Sequence, residues 1–139
     1  MSSFKIAIIG TGWIAEKMAI TVEEIANVEI YAVVSRTMEK ARQFAESRHI
    51  QKQFDAVDKM LDDKDIDLVY IATPHSNHYD EARQCLLKNK PVLCEKAFTA
   101  TAWQAEELIR IAREKRVFIA EAMWTRYMPM SNTIKEVLR

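Results

Sequence analysis

This chain contains only two glycines, and both fall in one loop. They close the run Ile6-Ala7-Ile8-Ile9-Gly10-Thr11-Gly12-Trp13-Ile14-Ala15. Phe4 to Ile9 reads as a buried strand, and Ile14, Met18, Val22 and Ile25 then recur at helical spacing. A strand, Gly-x-Gly-x-x-Ala and a helix in immediate succession form the setting of a dinucleotide fingerprint. The reason lies in the backbone. Gly10 can take the dihedrals of a tight turn, and a bare Gly12 lets a pyrophosphate approach the main chain. Thr11, Trp13 and Ile14 complete the loop and the helix entry, whose unpaired N–H groups and positive dipole end face that anion. Ala15 is small enough for close helix–strand contact. An ordinary strand–turn–helix corner is the plain alternative; the context favours the phosphate loop.

At 139 residues the chain is expected to be one domain with a real core. Twenty basic and twenty acidic side chains cancel, which removes the electrostatic case for a nucleic-acid partner. No apolar run approaches the roughly 20 residues of a membrane span. The N-terminus lacks the long apolar stretch of a signal peptide. Cys85 and Cys94 lack metal-type spacing and read as reduced core thiols, so a cytoplasmic location is expected.

The remaining pattern alternates. Strands are predicted over Glu29–Ser35, around Gln53-Phe54, and over Leu68–Ala72, Val92–Cys94 and Val117–Ala120. Between them, helices are predicted over Met38–His49, near Val57–Leu61, over about His78–Leu87, and along the stretch marked by Ala105, Leu108, Ile109 and Ala112. Alternating helices and doubly buried strands predict an α/β fold of the Rossmann type: a doubly wound parallel sheet with helices on both faces. Ligands of such a sheet lie beyond the carboxyl ends of its strands. Gly10–Gly12, Ser35–Arg36, Thr73–His78, Glu95–Lys96 and Ala122–Arg126 all fall at such ends. That coincidence outweighs any single motif.

The second strand selects between cofactors. An NAD site usually places an acid at its end, to accept from the ribose hydroxyls. Glu29 stands at the other end, about 20 Å away by strand rise. Arg36 instead offers a guanidinium fork to a phosphate, Ser35 and Thr37 offer hydroxyls, and Lys40 adds positive charge one turn on. Taken alone, Arg36 would be a solvated residue beside a helix cap made by Ser35 or Thr37. With the glycine loop upstream, NADP is expected over NAD.

Thr73-Pro74-His75-Ser76-Asn77-His78 follows the fourth strand. Pro74 fixes the chain where a ring or ribose could rest. Asn77 and His78 would supply hydrogen bonds or cap the helix; His78 reads equally well as helix packing, and His75 as exposed loop. Glu95-Lys96 follows the fifth strand. Beside a nicotinamide the Lys96 ammonium could polarise a carbonyl or move a proton to and from a hydroxyl, with Glu95 orienting it or binding a ribose hydroxyl. A solvated ion pair is the alternative. Trp124 could stack on the nicotinamide side and Arg126 could hold an anionic group, or this apolar stretch packs against a further domain. The three histidines lack converging carboxylates or thiolates, so no metal site is expected.

Together these motifs resemble the glucose–fructose oxidoreductase, inositol dehydrogenase and rhizopine-catabolism (Gfo/Idh/MocA) family. The resemblance rests on Gly10-Thr11-Gly12-Trp13-Ile14-Ala15, Ala32-Val33-Val34-Ser35-Arg36, Ala72-Thr73-Pro74-x-x-x-His78, Glu95-Lys96-Ala97 and Glu121-Ala122-Met123-Trp124-Thr125-Arg126. The last is similar to the dimeric dihydrodiol and sugar 1-dehydrogenase branch. The resemblance implies an NAD(P)-dependent oxidoreductase acting on a sugar, polyol or cyclic diol, with Lys96 as catalytic lysine. It also implies a homo-oligomer in full-length form. Ala97 replaces the proline usual after that lysine. On this reading residues 1–122 are the cofactor domain, and residues 123–139 begin the connection to a substrate and oligomerisation domain absent from this chain. A dinucleotide sensor without catalysis is the competing reading. An S-adenosylmethionine methyltransferase fits less well, because Ser35-Arg36 stands where that fold commonly wants an acid.

Overall fold

The computed structural model describes residues 3–139. The elements follow in the order β1 (Phe4–Ile9), α1 (Trp13–Glu23), β2 (Val28–Val34), α2 (Met38–Ser47), β3 (Lys52–Phe54), α3 (Val57–Leu61), β4 (Leu68–Ile71), α4 (His75–Leu87), β5 (Val92–Glu95), α5 (Ala102–Lys115) and β6 (Ile119–Ala122). A short 3-10 turn (Trp124–Tyr127) and α6 (Pro129–Val137) end the chain. The six strands form one sheet in the order β3-β2-β1-β4-β5-β6, and every pairing is parallel. The predicted doubly wound sheet is therefore the fold. The order reverses between β1 and β4, which makes the switch point a crevice at their carboxyl ends.

Alternation along β1 builds the layers. Ile6 and Ile8 join Ala15, Ala19 and Val22 of α1 and Phe44 and Ala45 of α2 in one core. Ala7 and Ile9 face the other way, joining Ala82, Cys85 and Leu86 of α4 and Leu108 and Ile111 of α5. Successive strand residues point to opposite faces, so an apolar run must be covered on both sides. Cys85 and Cys94 are free and buried in the second core, and burial pushes both thiols up to about 12. Among the described residues no helix is long and apolar enough to cross a membrane.

Several element boundaries differ from those predicted. Ile25 lies beyond α1 and is exposed, because Glu24 caps the helix and Ala15 and Ala19 form the buried stripe with Val22. His49 follows α2 with φ 55° rather than ending it as a helical residue. The helix after β4 begins at His75, a turn earlier than predicted, since Pro74 at its N-cap leads straight into it. The sixth strand runs two residues later than predicted: Arg116 turns the chain at φ 54°, and Val117 N still bonds back to Ala112 O.

Candidate functional site

Gly10 and Gly12 have different jobs. Gly10 has φ 111°, and a Cβ built on it would lie 2.8 Å from Ala72 O. Only glycine fits where β1 passes β4 so closely. Gly12 is the N-cap of α1 at φ −85° and ψ −175°, extended backbone open to any residue, and a Cβ there meets nothing within 4 Å. The fold does not need Gly12 bare. No side chain caps α1, so its first N–H groups remain directed at the space beside that glycine. By contrast, α5 is closed by a reciprocal capping box between Thr101 and Gln104.

A cleft of about 640 Å³ opens at this point. Gly10, Thr11 and Gly12 form its floor with Ile9, while Ser35, Arg36 and Lys40 line the β2 side and Thr73, Pro74 and Asn77 the β4 side. The Thr11 and Ser35 hydroxyls lie 3.3 Å apart, tying the glycine loop to the end of β2. Thr37 is the N-cap of α2, accepting from Lys40 N at 3.3 Å, and does not line the cleft. Arg36 and Lys40 enter no ion pair among the described residues, so their charge is available to an anion. Glu29 pairs in register with Lys5 at the opposite end of the sheet.

Asp55, Ala56, Val57, Ser76 and Glu81 also line the cleft. None was singled out from the sequence as a site residue. Asp55 follows β3, a strand of three residues too short to announce its carboxyl end. Its carboxyl is held below the usual range by the Lys59 ammonium, 2.8 Å away. Glu81 stands four residues after Asn77, and that helical spacing was the available signal.

The lysine segment sits beside this cleft on a pedestal of polar contacts. Glu95 is buried and accepts from Tyr70 Oη at 2.6 Å and from Lys96 N at 3.2 Å. Burial, then the Glu95 carboxylate, pushes the Tyr70 hydroxyl well above its ordinary range. Phe98 N donates to Glu121 Oε1 at 2.9 Å. His78 is fully buried, with Nδ1 2.8 Å from Ala97 O and Nε2 2.9 Å from Thr73 O. It therefore joins two site loops from behind the cleft wall, rather than lining the cleft. His75 is exposed as the first residue of α4. The Lys96–Ala97 peptide is cis. Lys96 itself is exposed, so its ammonium reaches solvent, while the hydrogen bonds to Glu95 and His78 hold the main chain on either side of it. Trp13 is exposed, Ile14 packs into the α1–α2 core, and Trp124 and Arg126 are exposed in the 3-10 turn. Neither these four nor Glu95 and Lys96 line the cleft.

Comparison with known proteins gives this arrangement a place. Residues 4–122 match the Gfo/Idh/MocA oxidoreductase family, NAD-binding Rossmann fold. The chain belongs to that family. D-xylose 1-dehydrogenase (NADP(+)) of Hypocrea jecorina is 39% identical over 98% of this chain and 38% of that enzyme. Trans-1,2-dihydrobenzene-1,2-diol dehydrogenase of Xenopus laevis is 35% identical over 96% of this chain and 41% of that enzyme. The family member's sheet also superposes on a solved 3-ketoreductase from Actinomadura kijaniata in complex with NADP. The TM-score is 0.91 at 26% identity, over 99% of this chain and 44% of that one. The chain thus spans about two fifths of the length of the relatives it matches.

Proposed function

We propose that this chain is the cofactor-binding domain of an NADP-dependent oxidoreductase that moves a hydride between nicotinamide and a sugar, polyol or cyclic diol. One observation carries the reading. The cleft joins a glycine the fold leaves free to be any residue, an uncapped helix N-terminus, and Arg36 with Lys40 where an NAD site would place an acid. The names of the xylose and dihydrodiol dehydrogenases support the substrate class.

Gly10, Thr11 and Gly12 with the first turn of α1 would receive the pyrophosphate, and Ser35, Arg36 and Lys40 the adenosine phosphate. Thr73, Pro74 and Asn77 would support the ribose and ring from the β4 side. Bound nicotinamide would supply the hydride chemistry. Lys96 would hold or release the proton that accompanies it at the substrate oxygen, and its pinned main chain limits how far the ammonium can stray. Glu95 serves that role by anchoring the backbone N–H of Lys96. Trp124 and Arg126 are read as substrate-side residues, and residues 123–139 as the connection toward a substrate and oligomerisation domain. In that form the protein is a homo-oligomer. The two reduced thiols support a cytoplasmic setting.

Arg36→Asp tests the cofactor assignment. Titrating NADPH and NADH by nicotinamide fluorescence should show NADPH affinity falling at least about tenfold, the loss of one charge-assisted contact, with NADH affinity little changed. An unchanged ratio of the two affinities would overturn it.

A further inference from the structure

Glu81 is a carboxylate on the wall of a cleft shaped for an anion. It is half-buried in α4, one turn beyond Asn77. Its hydrogen-bond partners are neutral: Thr73 Oγ1 donates to Oε2 at 2.5 Å, and the Asn77 side chain also bonds to it. No lysine or arginine pairs with it among the described residues. The titratable groups facing it are His78, Asp80 and Cys85 of its own helix and Cys94 of β5. Arg36, Lys40 and Asp55 line other parts of the cleft.

An ionised Glu81 would repel a polyphosphate placed on the glycine loop. A neutral carboxyl would not: one oxygen can still accept from Thr73 while the other carries an O–H donor toward the cleft. Burial raises this carboxyl above its usual range, against the Thr73 and Asn77 hydrogen bonds that favour its charged form, and so lowers the cost of protonating it on binding. Resting on the dinucleotide reading above, we propose that Glu81 is a cofactor-contacting residue that works as a neutral carboxylic acid. Each dinucleotide bound then brings one proton from solvent onto the Glu81 carboxylate, and each one released returns it. Once Glu81 is ionised in the free protein, affinity falls as pH rises, by up to about tenfold per unit for one linked proton.

Titration calorimetry of NADP into the chain at neutral pH, repeated in buffers of different ionisation enthalpy, counts the protons taken up. Wild type should take up close to one proton more than Glu81→Gln, and Glu81→Gln should bind NADP at least as tightly. Equal proton counts in the two proteins overturn the inference while leaving the dinucleotide reading intact. Failure of both proteins to bind NADP or NAD overturns both. Should Glu81→Gln not fold, the infrared difference spectrum of the wild type on adding NADP decides. A gained protonated-carboxyl band supports the assignment, and its absence overturns it.

Discussion

Replacing each glycine in turn separates what the fold needs from what the ligand needs. At Gly12 the backbone is already in a region open to alanine, and a Cβ meets no atom within 4 Å. Alanine gains about 0.4–1 kcal/mol by restricting the unfolded chain. It loses about 0.5–1 kcal/mol as a poorer N-cap. The two nearly cancel, so Gly12→Ala should leave stability within about 0.5 kcal/mol of wild type. On the proposed reading its methyl group nevertheless stands where a pyrophosphate would approach the main chain. Losing one charge-assisted N–H contact costs about 2 kcal/mol, or roughly 30-fold in NADP affinity.

Gly10→Ala should do the reverse first. At φ 111° an alanine is strained by about 1–3 kcal/mol. Its Cβ also lies 2.8 Å from a main-chain oxygen that β4 holds in place. A total near 3 kcal/mol lowers the melting temperature by about 10 °C. Urea unfolding and a fluorescence titration with NADPH measure both quantities on both variants. A folded Gly12→Ala protein that binds NADPH as tightly as wild type would refute the argument that this loop holds a pyrophosphate.

Lys96→Ala, made in the longest natural form of the protein, should keep NADP binding and lose about 100- to 10,000-fold in hydride transfer from sugars or diols to NADP, followed at the nicotinamide absorbance. Unchanged turnover would remove Lys96 from the chemistry, and no turnover by wild type on any polyol would favour the sensor. Tyr70→Phe leaves the buried Glu95 short of a partner and should cost about 1–3 kcal/mol at neutral pH by urea unfolding. The raised Tyr70 hydroxyl makes its contribution below its ordinary unfolded value, and that contribution is lost as pH rises through the alkaline range. Wild-type stability should therefore fall with pH above about 10 more steeply than that of Tyr70→Phe, and equal slopes would exclude this cause. Arg116→Gly relieves a left-handed residue, exposed at the end of α5, at φ 54° and ψ 40°. It should stabilise the chain by about 0.5 kcal/mol, the left-handed penalty less the entropy of glycine; a lower melting temperature would contradict that.

Much of the architecture was legible in the order of residues alone. The apolar runs of β1, β2 and β4 mark strands because each is buried on both faces. Alternation with helices then implies parallel pairing, and parallel pairing puts the polar residues that follow each strand at one edge. The strand-end clusters Gly10–Gly12, Ser35–Arg36, Thr73–His78, Glu95–Lys96 and Ala122–Arg126 are all readable this way without coordinates. Helix ends were less legible, because in a chain with two glycines the left-handed turns fall among the described residues to Asn27, His49, Asn89 and Arg116, and of these only the asparagines are a usual stop signal.

What the sequence could not decide depends on contacts between residues far apart along it. The order β3-β2-β1-β4-β5-β6 is set by which faces can be covered together, and it alone brings Asp55 and Glu81 to the same cleft. His78 looked like a cofactor contact or a packing residue; two carbonyls, one of them 19 residues away, hold it behind the wall. Gly10 and Gly12 were equivalent members of one motif. Only the approach of Ala72 from β4 shows that Gly10 is required for packing, while Gly12 is left bare where the fold would accept a side chain.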